Sequence, residues 1–248
     1  MRREIDAKGL YYRDLNKMVR DAVGEGCTEI ILCNVNGQYY IGDGIKNRVT
    51  IVIDGVPGND LGAFMDGPYI IVKNNAQDNV GNTMNSGKIS IHGHAGDVCG
   101  YAMRGGKIFI KGDVGYRVGI HMKGYQDKIP VMVVGGKAGD FLGEYMAGGV
   151  LIILGISQGE DNGLPVAGDF LGTGMHGGVI FLRGEPDMSR VGAEVGVVPI
   201  EDADRRILES SIKEFCEEFD YDYNDVMKNA FTKIVPVTNR PYGNLYAY

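Results

Sequence analysis

Six times along the chain an octet of residues ends in Gly-x-x-Met, and this recurrence restricts the fold more than any other feature. The copies close on Gly62 and Met65, Gly81 and Met84, Gly100 and Met103, Gly119 and Met122, Gly143 and Met146, and Gly172 and Met175. The first four methionines are spaced by 19 residues, and the later intervals of 24 and 29 carry insertions near positions 125–128 and 157–164. A fixed period interrupted by loop-sized insertions marks a stacked array in which each unit is one turn of a solenoid. Between the copies run apolar strand triplets: Ile51-Val52-Ile53, Ile70-Ile71-Val72, Ile89-Ser90-Ile91, Ile108-Phe109-Ile110, Val131-Met132-Val133, Leu151-Ile152-Ile153 and Ile180-Phe181-Leu182. Side chains alternate across a strand, so the outer two of each triplet share the inner face and stack as ladders beside the methionine column. Glycine, at 39 of 248 residues, is about twice its usual share of roughly 7%. Tight corners absorb that excess, since φ > 0 or close backbone approach costs glycine least. The expected fold is mainly β, a right-handed parallel β-helix of about six to seven coils, its hand following from parallel crossovers.

The non-repetitive ends read as covers for this stack, because an open solenoid end exposes apolar side chains and unpaired strand edges. Residues 1–45 form an N-terminal α/β cap: positions 11–24 place Leu15, Met18, Val19 and Ala22 on one helical face, and strands over 29–34 and 38–41 join through an Asn36-Gly37 hairpin signal. Residues 46–198 hold the β-helix, and 199–248 a C-terminal helix plus extended tail. That helix, over 202–219, aligns Leu208, Ile212, Phe215 and Phe219 on one stripe, and the tail from 234 onward reads as a strap.

Charge and cysteine usage exclude several functions. The balance of 25 Lys and Arg against 32 Asp and Glu gives a net charge of -7, which opposes nucleic-acid binding. No apolar run approaches the roughly 20 residues that span a bilayer, so the expectation is a soluble cytoplasmic protein without a membrane partner. Cys27, Cys33, Cys99 and Cys216 contain no C-x-x-C spacing, so thiol spacing encodes neither a zinc site nor an iron–sulfur cluster.

Three patterns imitate binding sites. Gly172-Thr-Gly174-Met-His-Gly177 matches G-x-G-x-x-G, but a dinucleotide site needs that string between a strand and a helix, and here it is a further corner. His92, His94 and His121 invite a zinc reading, yet they occupy different columns of the repeat and should face solvent. Asp78, Asp97, Asp140 and Asp169 share a column and could suggest a calcium ladder; the plainer expectation is that each accepts backbone N–H bonds of its own corner as an Asx-turn. The expectation for this chain is no catalytic, cofactor-binding or metal-binding residue.

One column does look functional. The outward middle residues of the triplets read Val52, Ile71, Ser90, Phe109, Met132, Ile152 and Phe181, and an apolar stripe of that length calls for a cover. The stripe on the C-terminal helix is one candidate; a partner subunit, or a second copy of the chain, docking on Val52, Ile71, Phe109, Met132, Ile152 and Phe181 is the other.

Residues 93–112, 135–155 and 168–178 resemble the G-x-G-x-G β-helical domain at the C-terminus of the large subunit of glutamate synthase. The resemblance covers residues 46–190, and Glu144-Tyr-Met-Ala-Gly-Gly-Val150 and Asp60-Leu-Gly-Ala-Phe64 are its most specific parts. The whole chain, including Asp6-Ala-Lys-Gly-Leu-Tyr-Tyr12 and Arg240-Pro-Tyr-Gly-Asn-Leu-Tyr246, is similar to the stand-alone form found where glutamate synthase is split into separate polypeptides. The resemblance implies a non-catalytic scaffold whose partners are the glutaminase and synthase subunits, with FMN and iron–sulfur on those partners and no cofactor here. Unlike the large subunit, the chain has no cysteine after Met1 to act as the amidotransferase nucleophile and no cluster cysteines. A related domain in a subunit of formylmethanofuran dehydrogenase supplies the alternative assignment, and a metal-dependent β-helix enzyme is a third.

Overall fold

The computed structural model describes residues 1–156 and 165–237. Its strands are β1 (Arg2–Asp6), β2 (Glu29–Asn36), β3 (Thr50–Val56), β4 (Asp66–Val72), β5 (Ser86–Ile91), β6 (Lys107–Ile110), β7 (Val131–Val134), β8 (Ala147–Ile153), β9 (Gly177–Arg183), β10 (Val195–Val198) and β11 (Phe231–Pro236). All join one sheet in the order β1-β2-β3-β4-β5-β6-β7-β8-β9-β11-β10. Neighbours from β1 to β9 pair in parallel, as successive turns of a solenoid must, and the architecture is a parallel β-solenoid of about six turns. Ile51, Ile70, Ile89, Ile108, Met132, Leu151 and Ile180 stand at matched heights along the inner face, and Ile53, Val72, Ile91, Ile110, Val134, Ile153 and Leu182 form a second ladder. These side chains are buried, each contributing roughly 1.5–3 kcal/mol. The methionines of the repeat are buried with them, and the Cε atoms of Met65, Met84, Met122 and Met146 reach over Gly87, Gly106, Gly149 and Gly178 of the following coil.

Each corner has one backbone solution. Every second residue is left-handed, as in Asp60, Gly62 and Phe64, or Phe141, Gly143 and Tyr145. Two overlapping turns close it, Ala63 N–H to Asp60 O at 3.2 Å and Met65 N–H to Gly62 O at 3.3 Å. The middle glycine faces inward. A Cβ on Gly81 would lie 2.4 Å from Ile108 Cδ1, so the tip of the next coil's ladder fills the space that any side chain would need.

Two expectations fail here for physical reasons. Asn36-Gly37 does not make a hairpin: β2 pairs in parallel with both β1 and β3, and the segment after it is another corner of the repeat. Tyr40, Gly42 and Gly44 are left-handed, Gly62 N–H donates to Ile41 O, and Ile45 stands where the other copies have methionine. Met132 belongs to the inner ladder, not to the outward column, because Phe109 pairs with Val133 and Ile108 with Met132. β7 is apolar at every position and buried on both faces, so its sequence carries no alternation, and only pairing with β6 sets its phase.

The ends cover the stack. Helix α1 (Tyr12–Gly24) buries Leu15, Val19 and Ala22, while Met18 of the expected stripe is exposed. At the far end Val191 and Val195 pack on the last corner, and β11 runs antiparallel between β9 and β10. The insertion at 125–128 makes a small antiparallel bridge between Tyr125 and Lys128. The one at 157–164, and the expected strap beyond residue 237, lie outside the described residues. Among the described residues no helix is long and apolar enough to cross a membrane.

Candidate functional site

The outer face of the sheet has a cover from its own chain. Helix α2 (Asp202–Phe219) begins with a reciprocal capping box between Glu201 and Asp204 and ends on left-handed Asp220. Its apolar stripe, Leu208, Ile212, Phe215 and Phe219, forms one buried cluster with Phe109, Val133, Ile152 and Phe181. Phe215 meets Phe109 edge-on at 5.9 Å, and Phe219 meets His92 at 5.0 Å. Charges rim the contact: Lys88 Nζ donates to Glu218 at 2.5 Å and lies 3.3 Å from Glu214, which also pairs with Lys107. Tyr69 OH donates to the other Glu218 oxygen at 2.5 Å. Burial works against the charged form of Glu218, but the bonds from Lys88 and Tyr69 outweigh it and hold its pKa below the ordinary range; burial with Glu218 as acceptor raises that of Tyr69. Of the six residues expected to form a docking column, Phe109, Ile152 and Phe181 are thus buried under α2 and Met132 is core, while Val52 and Ile71 stay half-exposed.

The three imitative patterns are taken up by stacking. Asp78 Oδ1 accepts Asp97 N–H at 2.9 Å, Asp97 Oδ1 accepts Tyr116 N–H at 2.9 Å, and Asp140 Oδ1 accepts Asp169 N–H at 2.8 Å. Each carboxylate therefore ties its coil to the next, instead of closing an Asx-turn in its own corner. A parallel column runs Asn75, His94, Asp113: Asn75 Oδ1 accepts His94 N–H, and His94 Nδ1 accepts Asp113 N–H at 2.9 Å. His92 lies against Phe219 and His121 stacks on Tyr145 at 5.4 Å, so the three histidines sit in three separate environments. In the G-x-G-x-x-G string, the N–H groups of Gly172, Thr173, Met175, His176 and Gly177 donate to backbone carbonyls, leaving no cradle of free donors for a phosphate. Burial pushes the thiols of Cys99 and Cys216 up to about 12 and about 11, away from nucleophilic thiolate behaviour. Among the described residues no group of three or more His, Cys, Asp or Glu is arranged to hold a metal ion.

What remains is the corner face, opposite in character to the inner ladders. Most left-handed residues flanking the inward glycines reach the surface, Thr83 being buried, and over the later coils many are large: Arg117, His121, Phe141, Tyr145 and Phe170. Phe141 and Phe170 stack at 4.9 Å, the Arg117 guanidinium lies 4.5 Å over Phe141, and Arg117 Nε donates to Glu144 at 3.0 Å. Tyr101 meets His121 edge-on at 5.9 Å, and His121 continues onto Tyr145. A left-handed conformation costs a non-glycine residue roughly 1–2 kcal/mol, and here little burial offsets it: Phe170 is 54% and Tyr145 46% exposed. This face is not among the residues expected from the sequence to be functional. The signal was available, since Asp60 and Asn79 mark one flanking column as left-handed and the same column continues through Val98, Arg117, Phe141 and Phe170.

The family model described as "GXGXG motif" matches residues 25–238. The uncharacterized protein MJ1350 of Methanocaldococcus jannaschii is 48% identical over 249 aligned positions, covering 98% of this chain and 95% of that protein. Among solved structures, a chain of the formyltransferase/hydrolase complex FhcABCD from Methylorubrum extorquens, determined with methylofuran, superposes with a TM-score of 0.64 at 18% identity, over 95% of this chain and 96% of that one. At that identity the superposition speaks for the fold alone. The corner frame of glycines, its parallel stacking and the family match across 25–238 together show that the chain belongs to the GXGXG motif family, the family of the β-helical domain of glutamate synthase.

Proposed function

We propose that the chain is a non-catalytic structural subunit of a split glutamate synthase, holding the glutaminase polypeptide and the FMN- and iron–sulfur-bearing synthase polypeptide in register. The observation that carries this reading is that the side chains suited to chemistry in the repeat, the aspartate column and His94, are engaged in coil-to-coil hydrogen bonds, while large aromatics face solvent. A stack whose corner face carries exposed aromatics suits positioning of other chains. In this proposal no cofactor resides on this chain, and the membership in the family of the glutamate synthase β-helical domain supports these partners. Co-expression with the two polypeptides tests it: a stoichiometric ternary complex with glutamine-dependent glutamate formation is expected, and glutaminase activity in the isolated chain would reject it.

The second reading, a β-helical subunit of a formylmethanofuran dehydrogenase-like oxidoreductase, is favoured by end-to-end superposition on a chain of a multi-subunit complex determined with methylofuran. Co-purification with formyltransferase or hydrolase polypeptides, in place of the glutamate synthase ones, would support it.

A further inference from the structure

We propose that the corner face of the later coils is the docking surface for a cationic segment of the partner polypeptide, with Tyr101, His121, Phe141, Tyr145 and Phe170 as its aromatic platform. The inference rests on the scaffold reading and adds where the partner sits and what chemistry it brings. Tyr101, His121 and Tyr145 form one run of rings, and Phe170, Phe141 and Arg117 form a second. Glu144, next to Tyr145 in sequence, joins the two through its bond to Arg117.

The fold does not ask for rings at these steps. Elsewhere the same flanking columns hold Asp60, Asn79, Thr83, Ala102 and Gly174, with single rings at Tyr40 and Phe64, all of them left-handed; only the later coils bring rings of successive corners into contact. Asp, Asn and Gly take that conformation more readily than Phe or Tyr. Four of the five rings, Tyr101 excepted, are held in a left-handed backbone state and at least half-exposed, which matches the aromatic anchors that dominate protein interfaces.

Charge identifies the occupant. Asp140, Glu144 and Asp169 adjoin Phe141, Tyr145 and Phe170 in sequence; Glu144 is paired with Arg117 and Asp169 with Arg190 at 2.7 Å, which leaves the negative charge of Asp97 and Asp140, each holding a backbone N–H of the next coil through one oxygen. Ring faces and carboxylates both attract cations, so Lys or Arg side chains of a partner fit the face, whereas a second copy of a chain with net charge -7 would add like charge.

The test uses the full chain with its glutaminase and synthase polypeptides, comparing wild type with a Phe141→Asn/Phe170→Asn double variant and, separately, Tyr145→Gly. Asn and Gly occur in these columns already, so both variants should fold and melt close to wild type. Calorimetric titration should show affinity falling about 30-fold in the double variant. Wild-type binding should weaken about tenfold or more between roughly 50 and 500 mM salt as screening tightens. Undiminished affinity in both variants, or binding indifferent to salt, would overturn the surface while leaving the scaffold standing. Failure of the wild-type chain to bind either polypeptide would remove the scaffold reading and this inference with it. A self-dimer by sedimentation that the double variant abolishes would replace the cationic partner by a second copy.

Discussion

Inside and outside each corner, the same backbone conformation is filled by different residues. Gly81 and Asn79 both have φ in the left-handed region, +69° and +65°, yet one position is glycine in all seven corners and the other ranges from Asn to Val, Arg and Phe. The difference lies in what the side chain would meet. A Cβ on the inward position enters the tip of the next coil's ladder at 2.4 Å from Ile108 Cδ1, while the outward position opens to the surface. Conformational strain alone therefore does not account for the conserved inward spacing within this chain; the steric limit of the ladder does.

The largest test of that contrast is Gly81→Ala. Left-handed strain of roughly 1–2 kcal/mol and overpacking of about 1–3 kcal/mol should together lower stability by about 3 kcal/mol, measured by urea titration. If the ladder tip is the obstacle, Ile108→Val, which removes Cδ1, should relieve part of the loss. The double variant should then recover about 1–2 kcal/mol relative to the sum of the two single effects. Strict additivity would mean that backbone strain is the whole cost, and the contrast between inside and outside would collapse.

The same contrast separates what was legible in the sequence from what was not. The inward column is legible because one residue type satisfies it, so Gly62 to Gly172 announce the stack by spacing alone. C-terminal helix α2 was legible too, since Leu208, Ile212, Phe215 and Phe219 keep helical spacing and are all buried. The phase of β7 was not, because Val131 to Val134 are apolar on both faces and Phe109 selects Val133 through hydrogen-bond register. The first corner was hidden because Ile45 replaces methionine and Asn36-Gly37 offers equally good hairpin chemistry. The role of the aspartates could not be read either: a column spaced by 19 residues does not say whether a carboxylate serves its own turn or the next, and the structure places Asp97 Oδ1 on Tyr116 N–H.

That inter-coil bond makes an outward residue structural and so limits how far the contrast extends. Asp97→Ala should leave the Tyr116 N–H without its carboxylate partner and cost about 1 kcal/mol, below the roughly 1.5–3 kcal/mol of hydrogen bonds to charged groups because this one is exposed. Asp97→Asn keeps an acceptor and should recover most of the loss. Equal melting temperatures for wild type and Asp97→Ala would show that the column is held by backbone bonds alone.

The smallest effect is also the most selective. Val98 is a β-branched residue at φ +61°, an arrangement that strains the backbone, and it occupies the step where the preceding coil has Asn79. Replacing it by asparagine should remove strain and lose only a half-buried apolar side chain, so Val98→Asn is expected to change stability by about 0.5 kcal/mol in the stabilising direction. If the outward column is free of packing demands, the change stays within that range in thermal and urea unfolding alike. A loss above about 1 kcal/mol would show that Val98 is held by contacts comparable to those of a core side chain. The column would then have to be read as part of the core, and the exposed rings that continue it would no longer stand apart from the fold's own requirements.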